Sequence, residues 1–217
     1  MQQQPILLYL YDALCGWCYG FSPVMMRLHQ RYHDRLRFEV LSGGMVIGHR
    51  AGPIGQVAPY INWAYKKVEE TTGVQFGEGF LNNVLEPGTS IFSSEKPGIA
   101  LTIFKSERPN EAVNFAHDLQ RAVYFDGLDL QSDATYEHLV KPYGIDPVTF
   151  GEKLNDFLFK QKTHAEFQSV AKLGVTGFPT VILQTPEKNY VLARGYTPFE
   201  QLDETLQQAL TPGTSSV

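Results

Sequence analysis

Apolar residues along this chain fall in two rhythms, and the rhythm changes twice. Residues 5–11, Pro-Ile-Leu-Leu-Tyr-Leu-Tyr, are apolar almost without a break. That pattern predicts a strand buried on both faces. After it Phe21, Val24, Met25, Leu28 and Tyr32 recur at spacings of three and four, which predicts a helix over 16–32. Pro23 falls inside it and has no N–H to give, so a kink or restart is expected there. Residues 36–42 set Phe38, Val40 and Ser42 against Arg37, Glu39 and Leu41, an imperfect alternation that predicts a second strand, ended by Gly43 and Gly44. Two parallel strands joined by a helix imply a right-handed crossover.

From about residue 48 the rhythm becomes helical. Gly48, Gly52, Pro53, Gly55 and Pro59 predict a loop. A helix is expected over 56–72 through Ile61, Ala64, Tyr65 and Val68, with Lys66-Lys67 and Glu69-Glu70 on its solvated face. Residues 73–94 are mixed, with short helical turns at 78–84. Further helices are predicted over 95–108, 109–126, 132–140, 147–158 and 161–173. Asp146-Pro147 is a good helix entry. The strand rhythm then returns at 181–183 and 189–193, followed by a helix over 199–210 and a frayed tail at 211–217.

Composition narrows the class. A chain of 217 residues with 43% apolar and 12% aromatic content supports a full core, as one large domain or a domain carrying an insertion. A net charge of −5 argues against a nucleic-acid footprint. No window reaches the length of apolar residues that spans a bilayer, so no membrane segment is expected. The start, Met-Gln-Gln-Gln-Pro, lacks a basic n-region and a long apolar h-region, so a cytoplasmic location is expected.

The two cysteines of the chain, Cys15 and Cys18, stand two residues apart between the first strand and the first helix. In a reducing compartment such a lone pair is more often catalytic or metal-binding than structural. A thiol attacks a disulfide as its thiolate, and the unpaired N–H groups and partial positive charge of a helix N-terminus favour that form. This predicts Cys15 as nucleophile and Cys18, on the same helical face, as the residue that resolves a mixed disulfide. Two other readings compete. The pair can be ordinary buried apolar residues. It can also join His29 and His33 in a zinc-like Cys-x2-Cys-x10-His-x3-His string. On one helix, however, His29 would lie about 16 Å along the axis from Cys18, and zinc ligands sit about 2.0–2.3 Å from the metal.

Phe178-Pro179-Thr180 completes the constellation. Proline cannot donate to a ladder, so Pro179 belongs at the start of a strand, and a cis Phe178–Pro179 bond is expected beside the cysteines. The strand, the Cys-Gly-Trp-Cys motif at its end and the late Gly-Val-Thr-Gly-Phe-Pro-Thr resemble the thioredoxin fold. The intervening helices resemble its DsbA-like branch. Tyr-Asp-Ala-Leu-Cys-Gly-Trp-Cys-Tyr is similar to the FrnE-like members that lack a signal peptide. The specific motifs occupy residues 9–20 and 174–181.

The resemblance implies an α/β thioredoxin fold, residues 1–50 and 170–217, with a large inserted α-helical domain at 51–169. It implies a cis Pro179 against Cys15 and thiol–disulfide oxidoreductase activity that oxidises, reduces or isomerises disulfides. No metal or organic cofactor is needed for exchange; glutathione or a thioredoxin system would recycle the pair. Partners would be protein or small thiol and disulfide substrates, with the chain a monomer or homodimer. Trp17 stands where strongly oxidising relatives carry histidine, which implies a less oxidising pair. Trp17 is expected to be exposed as an apolar contact for partners, with Phe178, Tyr19 and Met45 lining the same surface. Asp12 either relays a proton for Cys18 or, as preferred here, hydrogen-bonds the loop backbone. His49, His117, His138 and His164 show no ligand spacing. Two alternatives remain: a glutathione-dependent transferase or isomerase of the same fold, and a non-catalytic binding protein whose cysteines are buried or inert.

Overall fold

The computed structural model describes residues 4–211. The tail expected at 211–217 lies, from residue 212 on, outside the described residues. In chain order come β1 (Ile6–Tyr11), α1 (Gly16–Tyr32), β2 (Arg37–Ser42), β3 (Gly52–Pro53) and α2 (Ala58–Thr72). Next are α3 (Glu78–Phe80), β4 (Ile91–Phe92), α4 (Glu95–Glu107), α5 (Ala112–Tyr124) and α6 (Asp133–Val140). The chain closes with α7 (Pro147–Leu154), α8 (Phe157–Lys172), β5 (Thr180–Gln184), β6 (Asn189–Arg194) and α9 (Phe199–Leu210).

The main sheet has the order β2-β1-β5-β6. β1 runs parallel to β2, with Ile6 opposite Arg37, and antiparallel to β5, with Ile6 opposite Gln184. Its continuous apolar run follows from that central place. Leu7, Tyr9 and Tyr11 enter the main core on one face, while Leu8 and Leu10 pack with Val170 and Ile182 on the other. β2 is an edge strand and alternates accordingly: Phe38, Val40 and Ser42 are buried, and Arg37 is exposed. Its outer edge is not bare. Lys105 donates to the Val40 carbonyl (2.9 Å) and Glu166 accepts the Ser42 N–H (2.8 Å), and the two side chains also pair with each other. An open strand edge is a template for unwanted pairing, and α4 and α8 close this one.

Between β2 and β5 the chain is almost entirely helical, and the core continues into it without a break, through Phe104, Phe115 and Phe150. Phe104 and Phe115 stack with ring centroids 4.1 Å apart. Among the described residues no helix is long and apolar enough to cross a membrane.

Several local expectations change. Helix α1 runs through Pro23 without a break. The Tyr19 carbonyl that loses its partner to the proline accepts the Ser22 hydroxyl instead, at 2.9 Å. The helices expected at 147–158 and 161–173 meet earlier, because the Asp156 side chain accepts the Leu158 N–H (2.7 Å) and starts α8 there. Residues 81–85 wind as a π turn after α3, and the two-residue strands β3 and β4 pair across the loop region. Glu69 is not on a solvated face: it is half-buried and accepts the Phe76 N–H at 2.8 Å.

Candidate active site

Strand β1 ends at Tyr11, and four residues of loop deliver Cys15 to the N-cap of α1. The loop is tied at its first residue. One Asp12 carboxylate oxygen accepts the Leu14 N–H (2.9 Å) and the Ser94 hydroxyl (2.8 Å); the other accepts the Met45 N–H (2.7 Å). The Asp12 carbonyl accepts from Cys15 N–H (3.1 Å) and Gln120 (3.3 Å). One buried side chain thus joins the cysteine loop, the end of β2 and the start of α4. Burial raises the Asp12 pKa, against the pull of the Met45, Leu14 and Ser94 hydrogen bonds and the Arg50 charge.

The Cys15 sulfur accepts the Cys18 N–H at 3.3 Å, the place a capping oxygen usually takes. Both cysteines are free thiols. Cys18 is fully enclosed, and Cys15 keeps 5% of its surface exposed. Burial pushes the Cys18 thiol well above its ordinary value, and the neighbouring Cys15 adds to the shift. Cys18 therefore holds its proton at neutral pH while Cys15 sits on the N–H groups of a helix terminus.

Two different surroundings meet Cys15. On one side the Phe178–Pro179 bond is cis, and the Cys15 thiol faces the Phe178 carbonyl oxygen at 3.5 Å. On the other side lies a cavity of about 530 Å³, within the size range of small-ligand sites. Leu14, Cys15, Trp17, Met45 and Val46 form its base. Ile54, Ile61, Tyr65, Phe76 and Tyr124 form walls contributed by the helical segment. His49 and Arg50 are the basic residues of the lining, and it carries no acidic one.

Trp17 differs from expectation. It is half-buried and packs on the main core, because the helical segment stands over it. Tyr19 is buried, its hydroxyl donating to the Gln75 carbonyl at 2.9 Å. Met45 lines the cavity; Phe178 and Pro179 flank Cys15 outside it. His29 and His33 stay with each other, ring centroids 5.8 Å apart, and His29 stands edge-on to Phe38. Among the described residues no group of three or more His, Cys, Asp or Glu is placed to hold a metal.

Sequence reasoning overlooked Arg50 and Tyr60, both of which line the cavity. A signal was present: Val57, Tyr60, Ile61, Ala64, Tyr65 and Val68 recur at helical spacing, yet in α2 only Val68 is buried. That stripe faces the cavity rather than a neighbouring helix. Tyr60 and Trp63 are 63% and 64% exposed.

A protein from Nitrosomonas europaea described as a "putative protein disulfide isomerase" is 28% identical, covering 96% of this chain and 98% of its own, with a TM-score of 0.82. The cytosolic disulfide reductase DsbM from Pseudomonas aeruginosa is 25% identical, covering 94% of this chain and 98% of its own, with a TM-score of 0.79. That protein is also known in a structure with GSH. The ClpXP adapter protein SpxH from Halalkalibacterium halodurans is 19% identical over 96% of this chain and 69% of its own length. Residues 6–207 match the DSBA-like thioredoxin domain, and the chain belongs to that family.

Proposed function

We propose that this DsbA-like oxidoreductase exchanges disulfides through Cys15 and Cys18, and that it works in the reducing direction in the cytosol. The Cys15 thiolate attacks a substrate disulfide, forming a mixed disulfide and releasing one substrate sulfur as a thiolate that takes up a proton. Cys18 then loses its proton and attacks the Cys15 sulfur, which releases the second substrate thiol and leaves a Cys15–Cys18 disulfide. The substrate gains two electrons. Two molecules of glutathione return them, leaving as glutathione disulfide. The observation that carries this reading is the pairing of a capped, cavity-lining Cys15 with a fully enclosed Cys18. Attack and resolution need that asymmetry.

In this scheme residues 1–50 and 170–217 supply the cysteines and Pro179, and the helical segment 51–169 supplies most of the cavity wall. Trp17 forms part of the cavity base, and Phe178 and Pro179 border the attacking sulfur where a substrate chain would lie. Asp12 acts mainly as anchor of the loop. Its carboxylate accepts three donors, and none of them is a cysteine thiol. The apolar walls with Arg50 and His49 at the cavity suit a small carboxylate-bearing thiol such as glutathione, which is the ligand seen with DsbM.

The burial of both cysteines favours one rival, a binding protein on this scaffold, and a relative is named as an adapter. The deciding experiment equilibrates the protein in graded glutathione buffers and counts thiols by alkylation and mass. Reversible two-electron exchange is expected, with a midpoint nearer thioredoxin (about −270 mV) than DsbA (about −120 mV). A pair that never exchanges, or stays inert to alkylation at pH 7, sinks the catalytic reading and leaves the binding one.

A further inference from the structure

Gly43 does not have the positive φ that usually explains a glycine. What it lacks is room. A Cβ built on Gly43 would stand 1.9 Å from Phe178 Cζ and 2.5 Å from both Cε atoms, far inside the 3.5–4.0 Å or so at which carbon atoms rest. The tip of the Phe178 ring therefore occupies the space where any other residue would place its side chain.

Neither partner is free to withdraw. The Gly43 N–H donates to the Tyr11 carbonyl at 2.8 Å, continuing the ladder beyond β2. Two residues later the Met45 N–H is held by Asp12 at 2.7 Å. Between them Gly44 has φ +62°, and a Cβ there would meet the Phe167 ring at 2.7 Å. This strap is fixed at both ends and pressed against α8 in the middle. Phe178 is half-buried and packs against both apolar clusters. Its own carbonyl is the group that faces the Cys15 thiol at 3.5 Å.

We infer that Gly43 and Phe178 form a positioning device for Cys15: the bare backbone at 43 seats the Phe178 ring, and the seated ring holds the Phe178 carbonyl against the Cys15 sulfur. The inference rests on the proposed role of Cys15 as nucleophile. A side chain at 43 lifts the ring, the carbonyl moves with it, and the sulfur loses the acceptor that shields it.

The test is a double-mutant cycle on the full chain with Gly43→Ala, Phe178→Leu and both together. Leucine ends near the ring's Cδ positions, short of the atoms that crowd Gly43. The readout is the rate at which iodoacetamide modifies Cys15 of the reduced protein, followed by peptide mass, with thermal unfolding alongside. Gly43→Ala is expected to speed modification of Cys15 about fivefold, and Phe178→Leu to do the same, because each unseats the carbonyl. The double variant should match either single one. Rates that multiply in the double variant, or a change confined to the unfolding temperature, would overturn the positioning role. Should Gly43→Ala not fold, an unchanged rate in Phe178→Leu overturns it equally. Because alkylation needs no catalysis, a wild-type protein that is alkylated at Cys15 yet reduces no glutathione disulfide refutes the oxidoreductase reading and leaves the cycle readable.

Discussion

Cys15 is bordered by two regions built on opposite plans. Toward β5 the approach is close: Phe178 fills the space above Gly43, and its carbonyl meets the sulfur. Toward α2 about 530 Å³ stands open between apolar walls. The packed side is made by the ends of strands, whose positions are set by ladder hydrogen bonds. The open side is made by loops and by one helix that turns an apolar stripe to the space and buries little of it. The contrast separates two tasks. On the proposed function, rigid packing holds the attacking sulfur in place, and a cavity with two basic residues selects what reaches it.

The largest effect comes from removing the sulfur both regions share. Cys15→Ser should lower disulfide exchange at least about a thousandfold, whereas Cys18→Ser should accumulate mixed disulfides on Cys15, read by mass under non-reducing conditions. Turnover retained without Cys15 would mean that neither region serves the chemistry.

Asp12→Asn comes next, because Asp12 ties the two regions together. Its three donors all need acceptors, and an amide NH2 opposite the Met45 or Leu14 N–H leaves a buried donor facing another donor. The cost should be about 1–3 kcal/mol in denaturant unfolding. It should also depend on pH. The folded-state pKa of Asp12 is raised, so the native state binds more protons than the unfolded one. The wild-type contribution is complete below the ordinary carboxylate value of 3.8 and is lost as pH rises through the raised value. The penalty of the substitution should accordingly shrink with rising pH across that window. A penalty that grows instead would place the proton elsewhere.

Arg50→Gln probes the open side alone. It should raise KM for glutathione as the reductant about threefold to tenfold, the range of a partly exposed charged contact, and leave recycling by the neutral thiol 2-mercaptoethanol unchanged. Equal loss for both would remove charge selection from the cavity. Smallest of all, Trp63→Ser should change stability by less than about 0.5 kcal/mol, as its side chain is 64% exposed. A larger loss by thermal unfolding would show that this exposed ring is structural.

The same contrast explains what could be read from the sequence. The central strand was legible because burial on both faces demands an unbroken apolar run, and β2 because an edge demands alternation. The cysteine pair was legible because its meaning is local: strand, loop, helix start. The cavity was not. An apolar stripe on α2 reads alike whether it faces a helix or a void, so Ile61, Ala64 and Tyr65 gave no sign of the cavity they line. Trp17 was expected in solvent because nothing local reveals that the helical segment stands over it. The contacts of Asp12 with Met45 and Ser94 join residues far apart in the chain, and no spacing rule announces them. β3 and β4 are two residues each and carry no periodicity.

The strand order has a consequence for the chain while it is being made. β1, the strand with neighbours on both sides, leaves the ribosome long before its antiparallel partner β5, which begins only at Thr180. At roughly 5–20 residues per second, that partner emerges on the order of 10–30 s later. Over that interval one side of the most apolar strand has no mate. Glu166, which closes the outer edge of β2, arrives only slightly sooner. The nascent protein therefore passes through a long stage in which both sides of its first strand pair are open, and its yield in a cell depends on what covers them until the last strands arrive.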